Sequence, residues 1–149
     1  MSQSARIAAK QVRIPSDAAA AKQVVDEILA QLQQANWDEH DIFSVHLAVE
    51  EAVINAIKHG NSYDASKTVH VKYMLTTCSL RVEITDEGPG FTPEDVPDPT
   101  DDDNLEVPSG RGIMLMRSFM SLVEFNDKGN CVIMEKLRAS ATSQRADAS

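Results

Sequence analysis

Cysteine is scarce in this chain, and the two present, Cys78 and Cys131, have neither the spacing of a zinc site nor that of a redox pair. Each sits in or beside an apolar, strand-like run, so packing is the role expected of them. Long hydrophobic runs are missing too. No stretch approaches the roughly 20 apolar residues that span a bilayer, and the N-terminus lacks the apolar core and small-residue cleavage site of a signal peptide. The expectation is a cytoplasmic protein with no membrane contact. Basic residues are few and scattered: 14 Lys and Arg against 23 Asp and Glu leave a net charge of −9, which would repel a phosphate backbone. Nucleic acid is therefore not expected as a partner. A nucleotide is still open, because backbone amides and helix ends bind phosphate inside acidic proteins.

What is present fits one soluble domain. The 149 residues suffice for one hydrophobic core, and 42% hydrophobic with 25% charged residues is an ordinary globular composition. Residues 1–9 are expected to be a flexible start, although "RIAAKQVRIP" carries Ile7, Val12 and Ile14 in a strand-like pattern that Pro15 ends. Ser16 is a candidate N-cap for a first helix bearing Val25, Ile28, Leu29 and Leu32. Asp38 is a candidate cap for a second, in which Ile42, Val45, Val49, Ala52, Val53 and Ala56 form an apolar stripe and Gly60 is the terminator. Alternation in Val69, Val71, Tyr73 and Leu75, then in Leu80, Val82 and Ile84, predicts a β-hairpin. A loop, "TPEDVPDPTDDDNLEVPS", follows, with prolines, acidic residues and no basic one, as a lid or binding loop would have. "GRGIMLMRSFMSL" reads as a glycine turn into a short helix. "LVEFND" and "CVIMEKL" around "DKGN" read as a last hairpin, and residues 138–149 as a disordered tail. Helices and antiparallel hairpins alternate in blocks, which points to an α+β two-layer sandwich with its helices on one face of the sheet.

Glu51 and Asn55 are four apart on the second helix, and Lys58 with His59 continues that face. This is either the solvated side of an amphipathic helix or a magnesium–nucleotide site. In the second reading Asn55 offers the metal an uncharged amide oxygen, and Glu51 is free to orient or deprotonate an attacking hydroxyl. Asp86, Gly88 and Gly90 close a strand. They make an ordinary turn, or else a carboxylate that accepts from an exocyclic amine beside glycines that let a planar base approach. Gly110, Arg111 and Gly112 precede a helix whose free amides suit phosphates. No P-loop or Rossmann fingerprint occurs. His40, His46, His59 and His70 lack metal-ligand spacing, the run Asp101 to Asp103 lacks the glycine of a calcium loop, and Ser44, Ser62 and Ser109 form no triad.

The order of these elements carries more than any one of them. The helix "EEAVINAIKHGN", the strand end "DEGPGF", a long lid and then "GRGIMLM" resemble the N, G1 and G2 boxes of the GHKL ATPases. With the short length and the leading strand, the chain looks most like the anti-sigma factor serine/threonine kinases, over residues 10–137. The resemblance implies a histidine-kinase-like ATPase (Bergerat) domain with a mixed, mostly antiparallel sheet. It implies ATP and Mg2+ as cofactors, Glu51 as catalytic base and Asn55 as metal ligand, with Lys58 and His59 alongside. Asp86 would recognise adenine, with Gly88 and Gly90 shaping its pocket, and Gly110, Arg111, Gly112 and Ile113 would lie at the phosphates. The implied partners are a sigma factor and a STAS-domain anti-anti-sigma protein that the kinase phosphorylates, and the implied assembly is a homodimer pairing through the strand at 10–14. The chain departs from the family at Pro108, where some members have a basic residue, so that contact to the terminal phosphate would fall to Arg111 or Lys58. It departs again at Asn130, where a Gly-Thr pair is frequent. The alternative implied by these departures is a non-catalytic nucleotide-binding regulator that sequesters a partner protein.

Overall fold

The computed structural model describes residues 5–90 and 110–139. The acidic loop with Pro108, and the tail beyond Ala139, lie outside the described residues. Strand β1 (Arg6–Pro15) leads to helices α1 (Ala18–Gln34) and α2 (Glu39–Asn55), and a wide π turn (Ala56–Gly60) extends α2. Strands β2 (Thr68–Thr76) and β3 (Ser79–Thr85), helix α3 (Gly110–Phe119), and strands β4 (Leu122–Phe125) and β5 (Cys131–Leu137) complete it.

The sheet runs β1-β2-β3-β5-β4, and every pairing among the described residues is antiparallel. The expected mostly antiparallel sheet is found, with no parallel pair among the described residues: β2–β3 and β4–β5 are hairpins, and β1–β2 and β3–β5 are antiparallel across longer connections. Period-two alternation gives each strand one apolar face. Val69, Val71, Tyr73 and Leu75 on β2, Leu80, Val82 and Ile84 on β3, and Val132 and Met134 on β5 are all buried. They pack with Val24, Ile28 and Leu32 of α1, Val45, Val49 and Val53 of α2, and Met116 of α3 in one core. Each such side chain contributes about 1.5–3 kcal/mol of burial. The opposite face carries Lys72, Arg81 and Glu83 and has no such reason to be covered, so the helices form a single layer. No helix among the described residues is long and apolar enough to cross a membrane.

Three local expectations are corrected. The N-cap of α1 is Asp17, whose carboxylate accepts from Ala20 N at 2.8 Å, because the hydroxyl of Ser16 is buried and donates to Lys67 O at 2.8 Å. Residues 6–9, placed in a flexible start, belong to β1, which pairs with β2 from Arg6 opposite Thr76 through an irregularity between Arg6 and Ala8. Arg138, assigned to a disordered tail, donates from Nη2 to Ala35 O and Asn36 O at 2.9 Å. The amide of Ala139 next to it donates to the buried carboxylate of Asp41. Asp38 stands at the N-cap of α2 without a side-chain cap bond.

What positions the site is the crossover. Because the β4–β5 hairpin returns β5 alongside β3, Cys131 pairs with Thr85 and the turn before β5 lies beside the strand end at Asp86.

Candidate functional site

A cleft opens at the C-terminal end of β3, between the last turns of α2, the α3 helix and the β4–β5 turn. Its walls include Asn55, His59, Gly60, Asp86, Gly90 and Asn130. Residues far apart in sequence, from the second helix, the strand end and the last hairpin, thus share one concavity.

The α2 wall follows from the π turn. Asn61 N donates to Ala56 O at 2.9 Å, a ring one residue wider than an α-turn. The widened turn takes Lys58, three residues past Asn55, off the face and leaves it exposed, while His59, four past, stays half-buried in the cleft wall. Of the two, His59 lines the cleft and Lys58 is not among its lining residues. Asn55 Nδ2 is buried without a hydrogen-bond partner among the described residues. A buried amide left so is costly, and a polar ligand in the cleft would offset that cost.

Glu51, one turn before Asn55, faces α3. A Cβ added to Gly112 would collide with Glu51 Oε2, come within 3.2 Å of its Cδ and lie 3.5 Å from Asn55 Nδ2. The first turn of α3 therefore approaches the carboxylate and the amide as closely as backbone allows. Its amide end carries the partial positive charge of a helix N-terminus. Gly110 and Arg111 are the first two residues of α3. Ile113 is 5% exposed, belongs to the core and is not among the residues that line the cleft.

Asp86 forms the other end. Burial pushes its carboxyl up to about 6, against the Gly88 amide bond, Lys128 and Lys67, which pull it down. Gly88 N donates to its Oδ1 at 2.8 Å. Gly60 lies flush on this carboxyl: a Cβ there would overlap Asp86 Cγ and both its oxygens, and one on Gly88 would overlap Gly60 O. Gly90 takes φ of 81° beside Lys128 O.

Two lining residues, Gly60 and Asn130, and a third residue that does not line the cleft, Asn61, have roles the sequence does not show. Gly60 was taken only as a helix terminator, and Asn130 only as a departure from a pattern. Asn61 carried no signal of its own, yet it is fully buried. Nothing local in the sequence marks these residues, because their partners lie 26 and 44 positions away.

A model of the histidine kinase-like ATPase domain matches residues 14–136. The anti-sigma F factor of Clostridium perfringens strain 13 is 34% identical over 102 residues, covering 64% of this chain and 72% of that protein. The anti-sigma F factor of Bacillus thuringiensis is 32% identical over 100 residues, covering 65% and 68%. Among solved structures, the RsbU and RsbW domains of a Mycobacterium tuberculosis protein superpose with a TM-score of 0.61 at 16% identity, covering 89% of this chain. The superposition spans 32% of that longer chain and bears on the fold alone.

Proposed function

The chain belongs to the histidine kinase-like ATPase family, and from that premise we propose that it is an ATP-dependent protein serine/threonine kinase that acts as an anti-sigma factor. It would hold a sigma factor and phosphorylate a STAS-domain anti-anti-sigma partner. The similarity to anti-sigma F factors supports the choice of partners. The observation that carries the enzymatic reading is the convergence of Glu51 and Asn55 on the first turn of α3, at one end of a cleft that has Asp86 in its wall.

In this reading the base of ATP lies against Asp86, which accepts the exocyclic amine, with Gly60 and Gly90 leaving room for a planar ring. The phosphates lie toward the amides of Gly110, Arg111 and Gly112. The buried Nδ2 of Asn55, without a partner among the described residues, would donate to a phosphate oxygen, leaving Oδ1 for Mg2+. Magnesium, when bound, would neutralise phosphate charge. Glu51 takes the proton of the attacking serine or threonine hydroxyl. The oxygen forms a bond to the γ-phosphorus, the bond to the bridging oxygen breaks, and ADP leaves. A homodimer is part of the proposal, with β1, an edge of the sheet, as the pairing strand.

The test is transfer of radiolabelled γ-phosphate to a purified STAS-domain protein by the wild type and by Glu51→Ala. Transfer that falls at least about a hundredfold, with ATP binding kept, is expected for loss of a general base. Transfer unaffected by the substitution would remove Glu51 from that role, and no transfer by the wild type would leave the nucleotide-binding regulator as the better reading.

A further inference from the structure

The peptide unit between Asp86 and Glu87 is held on both of its polar atoms by side-chain amides. Asn130 Nδ2 donates to Asp86 O at 3.0 Å, and Glu87 N donates to Asn61 Oδ1 at 2.8 Å. The preceding peptide is fixed as well, since Asp86 N donates to Asn130 O at 2.9 Å. The backbone on either side of Asp86 is therefore specified, and with it the direction in which the side chain leaves the chain.

Both asparagines are themselves held. Asn61 is 0% exposed, and its Nδ2 donates to Ser16 Oγ and to Thr68 O, each at 3.0 Å. Asn130 Oδ1 accepts from Asn126 Nδ2 at 2.8 Å. Asn126 Oδ1 in turn accepts from the amides of Gly129, Asn130 and Cys131. A strand end that only had to turn would not need two amide side chains from different parts of the fold. Such a double constraint is what preorganises a ligand-facing group.

We infer that Asn61 and Asn130 are positioning residues for base specificity: by locking the Asp86–Glu87 peptide they aim the Asp86 carboxylate at the exocyclic amine of the base. The inference rests on the reading of Asp86 as the base-recognising group. Asn130 also lines the cleft and Asn61 does not; both act here through their bonds to the Asp86–Glu87 peptide. Asn130 is the one to vary, because it lies on a surface turn and Asn61 is fully buried.

The probe is a pair of ligands that differ by the amine alone, ATP and purine riboside 5′-triphosphate, titrated calorimetrically with magnesium at pH 7.5. Wild type is expected to prefer ATP by about tenfold, the worth of one hydrogen bond to a charged acceptor in a site built for it. Asn130→Asp keeps the acceptor for Asn126 but removes the donor to Asp86 O. It should cut the preference to about twofold or less; the ratio of the two affinities cancels any uniform effect of the added charge on the triphosphate, and circular dichroism reports the intact fold. Asn130→Ala removes the same donor without adding charge, together with the acceptor for Asn126, and should behave alike. A full ATP preference in both variants would overturn the inference, and so would an equal fall for both ligands. A wild type without any preference would instead overturn the reading of Asp86.

Discussion

Gly60 and Asp86 are in backbone-to-carboxyl contact: no side chain fits at residue 60 while the Asp86 carboxyl keeps its place. The pair joins the end of the π turn to the end of β3. This contact makes a glycine necessary at a helix end where sequence reading saw only a stop signal. Gly60→Ala should therefore push the short Asp86 side chain aside. We expect ATP affinity to fall at least about tenfold and the fold to lose about 1–3 kcal/mol, as for other overpacked sites. Calorimetric titration and chemical denaturation measure the two effects separately.

Asp86 also predicts a pH dependence. Its carboxyl stands at about 6 in the folded protein, raised by burial from an ordinary value of 3.8. Between these values the folded state holds the proton more tightly than the unfolded chain, so this group's contribution to stability falls as pH rises through that window. Asp86→Asn removes the penalty. It should stabilise the protein by about 1–2 kcal/mol at pH 8, the solvent that still reaches the carboxyl screening the rest, and by close to nothing at pH 3. ATP binding has the opposite sign: the acceptor form exists above about pH 6, so wild-type affinity should weaken as pH falls below it. Denaturant melts and titrations at matched pH values check both.

At the other end of the cleft, Gly112→Ala places a methyl against Glu51 Oε2. The carboxylate is the far end of a flexible side chain and can swing away. The helix gains up to about 1 kcal/mol from alanine, which offsets the crowding. Stability should change by less than about 1 kcal/mol while phosphoryl transfer falls at least about tenfold. Unchanged transfer, followed alongside a thermal melt, would show that the position of Glu51 does not matter.

Much of this arrangement was readable from the chain. The stripe of Val45, Val49, Ala52 and Val53 and the alternations in β2 and β3 gave the layers, since helical and strand periods leave different apolar spacings. The triad of Glu51, Asn55 and Asp86 was named from motif order. The choice between Ser16 and Asp17 as helix cap could not be read, because both cap well and only the competing bonds of Ser16 to Lys67 O and Asn61 Nδ2 decide it. The π turn was equally hidden, as five residues of "AIKHG" carry no period, and with it went the outward turn of Lys58. Asn61 and Asn130 act through partners far along the chain, which local pattern does not encode.

Binding of magnesium–ATP in the cleft through Asn55 is tested by titration of ATP into wild type and Asn55→Ala. Asn55 is half-buried at a helix end and its Nδ2 has no partner to lose among the described residues, so the variant should fold with stability within about 1 kcal/mol of wild type. Wild type is expected to bind ATP with magnesium, and the folded variant to lose magnesium-dependent binding. Equal magnesium-dependent affinity in the two proteins would contradict the assignment.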